Sequence, residues 1–165
     1  MKNIHAKSQN GVVRVHEGEE LLGTIEMKEN FKTAEIKIGE KFFDIVLQQK
    51  EIIVKKQGDI YRHIKSNLFS GNMEILETGK KITGAAGLKW GTMLMNNKQE
   101  VLMKIKNQNP FFNKNQYECE IVEKNAVEDL DILLTLWEHL YGSRMKQLLM
   151  LILGGVTGTI IFLIQ

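Results

Sequence analysis

The first 122 residues alternate apolar and polar side chains in short runs, and this period of two constrains the fold more than any other feature. Gly, Asn and charged residues separate the runs, as is typical of tight turns between strands. Helical spacing is absent from this part. Repeated hairpins at this spacing predict an antiparallel sandwich or a closed barrel. The eleven predicted strands are residues 11–16, 21–28, 32–39, 41–48, 51–56, 60–65, 73–78, 80–83, 88–95, 101–106 and 116–122.

Beyond Asn125 the pattern changes to that of a helix, predicted over residues 127–141. Asn125 is a plausible N-cap, acidic residues occupy the first turn, and Gly142 is expected to end the helix. Most of the circumference is apolar, and the exceptions are Thr135, Glu138 and His139. Such a helix is expected to be buried, and the inside of a barrel is the simplest location for it.

A second apolar segment, residues 148–164, contains no charged side chain. At about 1.5 Å per residue a helix of this length covers roughly 26 Å, close to the minimum for a membrane span. Arg144 and Lys146 precede the segment, which favours a single-pass, tail-anchored protein with its N-terminal body in the cytoplasm. The alternative is a helix buried in a globular core. Positions along the predicted span include Leu148, Ile152, Gly154, Gly158 and Ile164.

Gly154 and Gly158 form a GxxxG pair, which lets two membrane helices approach closely. The sequence therefore allows a second copy of the chain as a partner, in a homodimer that forms through the tail.

Composition places the chain among globular proteins, with 43% hydrophobic and 25% charged residues. Its 165 residues suffice for one domain with an appendage. The single cysteine, Cys119, cannot form an internal disulfide or a multi-thiolate metal site, so no oxidising compartment is required. No apolar run follows the charged N-terminal residues, and a secretory signal is not expected.

The net charge of +2 conceals a basic segment. Residues 79–117 hold seven lysines and one acidic residue, Glu100, whereas residues 118–165 hold three basic and seven acidic residues. A basic segment attracts anionic headgroups, while the alternative is that these lysines alternate onto the wet face of strands. The candidate headgroup-binding residues are Lys80, Lys81, Lys89, Lys98, Lys104, Lys106 and Lys114.

Motifs for catalysis, cofactors or metals are absent from the sequence. The four histidines are dispersed, and no HExxH, CxxC, P-loop, GxGxxG or GxSxG spacing occurs. We expect no enzyme activity, no cofactor, no metal site and no nucleic-acid partner.

The stretch from Ile82 to Tyr141 pairs two strands around an Asn-rich return and ends in the apolar helix DLDILLTLWEHLYG. In this order of elements, residues 11–142 resemble the tubby C-terminal-like superfamily, which includes tubby domains, phospholipid scramblases and LURP-one-related proteins. The resemblance implies a mainly β fold, a closed antiparallel barrel of about eleven or twelve strands around a hydrophobic C-terminal helix. The second apolar helix that follows is a departure from it.

The expected domains are a barrel with its axial helix, residues 1–142, and a transmembrane tail, residues 143–165. The expected function is a non-enzymatic, membrane-tethered binding module that contacts anionic phospholipid headgroups. One alternative is a scramblase-like lipid-translocating protein, although the chain has one cysteine and no DxDxDG-like run. Another is a soluble barrel whose apolar tail is its core helix.

Overall fold

The computed structural model describes residues 4–28, 32–48, 51–67, 72–84, 91–109 and 113–143. In these parts of the chain twelve strands precede one helix, α1, which is helical from residue 129 through residue 143. The strands are β1 Ile4–Gln9, β2 Val12–Glu17, β3 Glu20–Lys28, β4 Thr33–Ile38, β5 Lys41–Gln48, β6 Glu51–Lys56, β7 Asp59–Asn67, β8 Asn72–Ile75, β9 Lys81–Gly84, β10 Thr92–Met95, β11 Val101–Asn109 and β12 Asn113–Ile121.

The strands form a closed antiparallel barrel in which each strand pairs with its neighbours in sequence. β1 pairs with β12, with Ile4 opposite Cys119 and Ala6 opposite Tyr117, so the last strand returns to the first. Closure removes the free sheet edges that an open sheet would expose. The closed barrel is confirmed, and the sandwich alternative is wrong.

β1 was not among the predicted strands. Its sequence, IHAKSQ, offers only two buried apolar side chains, Ile4 and Ala6, to mark the alternation. The strand pairs with β2 and with β12. Because β12 is distant in sequence, local alternation gives no information about that second pairing.

The core is built from the inward-facing side chain of every second residue. Along β4 and β5, for example, Ala34, Ile36, Phe43 and Ile45 are buried, while the residues between them are half-buried or exposed. The pairing is irregular at four places. Three are bulges that place one extra residue on a strand, namely Leu22, Tyr61 and Leu102, and the fourth lies between β11 and β12 at residues 107–109. Bulges increase local twist and help a sheet to curve into a barrel.

α1 follows β12 after a short 3-10 turn, Lys124–Ala126. The predicted N-cap, Asn125, is wrong, because it lies in this turn and the helix begins four residues later. Gly142 is also not the end of the helix, since residues 142 and 143 are helical. Glycine is unfavourable inside a helix by only about 1 kcal/mol, which the tertiary packing of α1 outweighs.

Every residue of α1 from 130 to 141 is buried. Its apolar side chains, which include Leu133, Leu136 and Trp137, belong to one cluster with the inward-facing side chains of the strands. β3 leaves room for the helix at Gly23, where an added Cβ would lie 2.9 Å from Cδ2 of Leu133 and 2.6 Å from the carbonyl oxygen of Lys37. This close approach requires glycine at that position.

The barrel has two rims, defined here by the connections between strands. The upper rim comprises residues 18–19, 39–40, 57–58, 76–80, 96–100 and 122–128, and α1 begins there. The lower rim is the opposite end of the barrel, where strands end or begin at residues 9, 12, 28, 33, 48, 51, 67, 72, 84, 92, 109 and 113. Because the strands alternate in direction, each rim collects every second connection.

Candidate functional site

A stripe of four polar residues runs along one face of α1: Asp131, Thr135, Glu138 and His139. They recur three or four residues apart, so they share one side of the helix. All four are buried, and the other buried polar residues among those described are Arg62, Ser66 and Thr92. Arg62 and Thr92 hydrogen-bond to members of the stripe, which makes this stripe the candidate site.

An ion-pair network surrounds the first turn of α1. Arg62 on β7 donates from Nη1 to Oδ1 of Asp131 at 2.6 Å and from Nη2 to Oε2 of Glu128 at 2.7 Å. Nζ of Lys80, at the upper rim, donates to Oδ2 of Asp131 at 2.6 Å. Asp131 is fully buried and Arg62 nearly so, whereas the Glu128 side chain is exposed. The network therefore reaches from the core to the surface.

Asp131 also caps the helix. Its Oδ2 accepts the backbone N–H of Glu128 at 3.0 Å, which is the reach of an N3 acid back to the N-cap residue in a capping box. The Thr135 hydroxyl donates to the Asp131 carbonyl at 2.7 Å, one turn later. With two cations and two carboxylates, the network of Arg62, Lys80, Glu128 and Asp131 balances its own charge. It holds the start of α1 in one position and leaves no surplus charge for a ligand.

A second polar cluster lies towards the lower rim, around His139. Nδ1 of His139 is 3.0 Å from the Thr92 hydroxyl, and Nε2 is 2.9 Å from Oδ1 of Asn107. These partners suit a neutral imidazole that donates from Nε2 and accepts at Nδ1. The Tyr117 ring meets His139 edge-on at 5.7 Å between centroids, and burial raises the pKa of the Tyr117 hydroxyl. Both ring nitrogens of His139 are engaged, so the cluster positions α1.

The structure places the described members of the predicted lysine set in different parts of the barrel. Lys104 and Lys106 lie on the outer face of β11, with Nζ 3.7 Å from Glu120 and 3.3 Å from Glu118 of β12. Both pairs are exposed and in cross-strand register, so each lysine already has a neutralising partner. For Lys104 and Lys106 the structure therefore agrees with the alternative interpretation of the basic segment, in which the lysines alternate onto the solvent-exposed face of strands.

Of the remaining predicted lysines, the three whose side chains are described lie in different settings. Lys80 belongs to the buried network, Lys81 begins β9, and Lys98 is exposed in an upper-rim turn. Lys89 lies outside the described residues. Lys114 lies in β12 by its backbone, and its side chain is outside the description.

An open cleft of about 320 Å³ lies across β7, β8 and β9, lined by Lys65, Ser66, Asn72, Met73, Glu74, Lys81 and Thr83. Cross-strand register places Glu74 between Lys65 and Lys81. The Ser66 hydroxyl is buried and has no hydrogen-bond partner among the described residues. One of the predicted lysines, Lys81, thus borders a concave surface.

Cys119 is unsuited to nucleophilic chemistry. Its thiol is buried on the inner face of β12, and burial together with the neighbouring Glu118 raises its pKa to about 12. The thiol is therefore protonated at neutral pH. Among the described residues, no group of three or more His, Cys, Asp and Glu is placed to hold a metal ion.

The predicted span, with Leu148, Ile152, Gly154, Gly158 and Ile164, lies outside the described residues. Within the described residues, no helix combines the length and the apolar character needed to cross a membrane. α1 itself carries the polar stripe.

No family model, curated protein or solved structure matches this chain.

Sequence reasoning missed Arg62 and the structural role of Asp131. The helical pattern places Asp131 in the first turn for its charge alone, and the strand pattern does not distinguish Arg62. One signal in the sequence points to Arg62. It lies two residues before Ile64 on β7, so both side chains face the inside of the barrel, and a charged residue on an apolar strand face requires a buried partner.

Proposed function

We propose that this chain is a non-enzymatic, membrane-tethered β-barrel binding module. In this account the barrel lies in the cytoplasm, α1 is its axial helix, and residues 148–164 form a single membrane span. The observation that carries the proposal is the burial of α1 over its whole circumference. α1 supplies the core helix that the barrel needs, so the second apolar segment is left without a place in the core.

The packing of α1 supports its axial position. Leu133, Leu136 and Trp137 are at most 1% exposed and cluster with strand side chains from around the barrel. A helix is about 10 Å across with its side chains, a width that a barrel of more than eight strands accommodates. A closed barrel followed by a buried helix is also what the tubby-like resemblance implies, and this agreement supports membership of that superfamily as part of the proposal.

The tail supports the tether. Residues 147–165 contain no charged side chain, so the free energy of this segment is lowest in the hydrocarbon of a membrane. Arg144 and Lys146 stand at the membrane boundary in this account, and positive charge there favours the cytoplasmic side. Anionic headgroups then lie within reach of lysines on the barrel, which is the binding role that we propose.

Two charges placed in the middle of the tail test the proposal in the full chain. Ile152→Lys with Val156→Lys costs about 3 kcal/mol per lysine in a membrane-spanning helix. The matched control, Ile152→Leu with Val156→Leu, keeps the segment apolar. We expect the wild type and the control to resist carbonate extraction from membranes, and the lysine variant to appear in the supernatant.

The same extraction can overturn the proposal. Release of the wild-type chain by carbonate would show that the tail is not an anchor. Equal retention of the wild type and the lysine variant would show that another surface holds the protein on the membrane.

A further inference from the structure

Two of the four histidines, which are dispersed in the sequence, lie side by side on the outer face of the barrel. His5 on β1 is directly opposite His16 on β2 in the antiparallel register. Their imidazole rings are stacked, with 5.4 Å between the ring centroids and 11° between the ring planes. Eleven positions separate the two residues along the chain, and the hairpin of β1 and β2 brings them together.

The separation of the two rings suits binding to one metal ion. Two imidazoles bound to one tetrahedral zinc ion, with Zn–N bonds of about 2.1 Å, have ring centroids about 5.3 Å apart. The centroids of His5 and His16 are 5.4 Å apart. A shared ion therefore requires a change in the orientation of the rings and little change in their separation.

Both rings are available as metal ligands. Neither forms a hydrogen bond or an ion pair with another described residue, whereas both ring nitrogens of His139 are engaged. His5 is exposed and His16 is half-buried, so water can complete the coordination of an ion. Glu118 is opposite His5 on β12, but its Oε2 lies 3.3 Å from Nζ of Lys106. The protein ligands are therefore the two imidazoles, a smaller set than the group of three that is absent from the described residues.

Imidazole nitrogen selects among metal ions. It is a good ligand for Zn²⁺, Cu²⁺ and Ni²⁺, whereas Mg²⁺ and Ca²⁺ prefer oxygen. We infer that His5 and His16 form a binding site for one divalent transition-metal ion, held between β1 and β2. This site goes beyond the proposed function, since it requires neither a membrane nor headgroups.

The position of the pair gives the ion a structural role. β1 closes the barrel by pairing with both β2 and β12, yet it contributes only two buried apolar side chains, Ile4 and Ala6. An ion bound to His5 and His16 joins β1 to β2 through side chains, in addition to the backbone hydrogen bonds. A ligand that binds only the folded state stabilises it, so the ion holds β1 in the barrel.

Metal titration of the full chain in detergent tests the site. The protein carries no polyhistidine tag and is first freed of metal with a chelator. Zn²⁺, Cu²⁺ and Mg²⁺ are titrated separately, by calorimetry, into the wild type and three variants: His5→Gln, His16→Gln and His63→Gln. The last is the matched control, because His63 on the outer face of β7 is opposite Ile53 and has no second histidine in register. Matching thermal unfolding of the metal-free proteins controls for folding.

We expect one Zn²⁺ or Cu²⁺ ion per chain, with Cu²⁺ bound more tightly, and no binding of Mg²⁺. Loss of one imidazole removes the chelate, so His5→Gln and His16→Gln are each expected to weaken binding at least about tenfold. The His63→Gln variant is expected to bind like the wild type. Unchanged affinity in either His5→Gln or His16→Gln would overturn the shared site, and equal binding of Mg²⁺ would overturn its imidazole chemistry.

Hydrogen exchange of the same proteins tests the structural role. Zn²⁺ is expected to slow amide exchange in β1 of the wild type, because opening of this strand then requires loss of the ion. Exchange in β1 of the His5→Gln variant is expected to be unaffected by Zn²⁺. A wild type in which Zn²⁺ binds without slowing exchange in β1 would overturn the role of the ion in holding that strand.

Discussion

Nη1 of Arg62 lies 2.6 Å from Oδ1 of Asp131 in the interior of the barrel, and the pair joins β7 to the first turn of α1. Both side chains are almost completely removed from solvent. A charge buried in this way is tolerated only with its partner in place. The pair therefore sets the position of α1 in the barrel.

Removal of one partner is expected to be costly. Asp131→Ala removes the buried carboxylate from Arg62 and leaves the guanidinium with only the exposed Glu128 as a partner, so we expect a loss of about 3 kcal/mol in the free energy of unfolding. Denaturant unfolding of the full chain in detergent measures this loss. Lys106→Ala, which breaks the exposed pair with Glu118, is the control and is expected to cost less than about 1 kcal/mol. Equal losses in the two variants would contradict the role of the buried pair.

The close approach of β3 to α1 predicts the effect of a single methyl group. Gly23→Ala brings a Cβ to 2.6 Å from the Lys37 carbonyl oxygen, and overpacking of this kind costs about 1 to 3 kcal/mol. Gly84→Ala is the matched control, because a Cβ there meets nothing within 4 Å among the described residues. Thermal unfolding compares the two variants. A Gly23→Ala variant as stable as the wild type would show that α1 does not pack against β3.

The hydrogen bond between Thr92 and His139 predicts a smaller loss. Thr92→Val keeps the shape of the side chain but removes the hydroxyl that Nδ1 of His139 requires, and we expect about 1 to 3 kcal/mol of destabilisation. Thr24→Val, on the outer face of β3, makes the same chemical change where the side chain is not buried and is expected to have little effect. The two variants are compared by denaturant unfolding, and equal effects would contradict the assignment.

The raised pKa of Cys119 predicts a loss of stability at alkaline pH. The thiol has a pKa of about 12 in the fold against 9.0 in its ordinary range, so the folded state binds more protons between these values. The contribution is complete below about pH 9 and decreases by up to about 1.4 kcal/mol per pH unit as the pH approaches 12. The Cys119→Ala variant has no thiol, so its stability lacks this pH-dependent contribution. The stability difference between wild type and variant should shrink above pH 9, and a constant difference would contradict the shift.

Local pattern predicted most of the fold. Alternation found every strand except β1, and helical spacing found α1 with its start two residues early. The candidate site could not be predicted in the same way, because its partners are distant in sequence. Arg62 precedes Asp131 by 69 residues, and Thr92 precedes His139 by 47. Only the closed barrel brings these side chains together, and one-dimensional periodicity carries no information about that pairing.

Fractionation of the full chain beside a chain that ends at Lys146 tests the central claim most directly, namely that the barrel with α1 is complete and the remaining segment anchors it. The account predicts that the full chain stays in carbonate-extracted membranes, while the shortened chain is soluble and unfolds cooperatively on heating. A soluble full chain together with an unfolded shortened chain would contradict the account, because the apolar segment would then belong to the core.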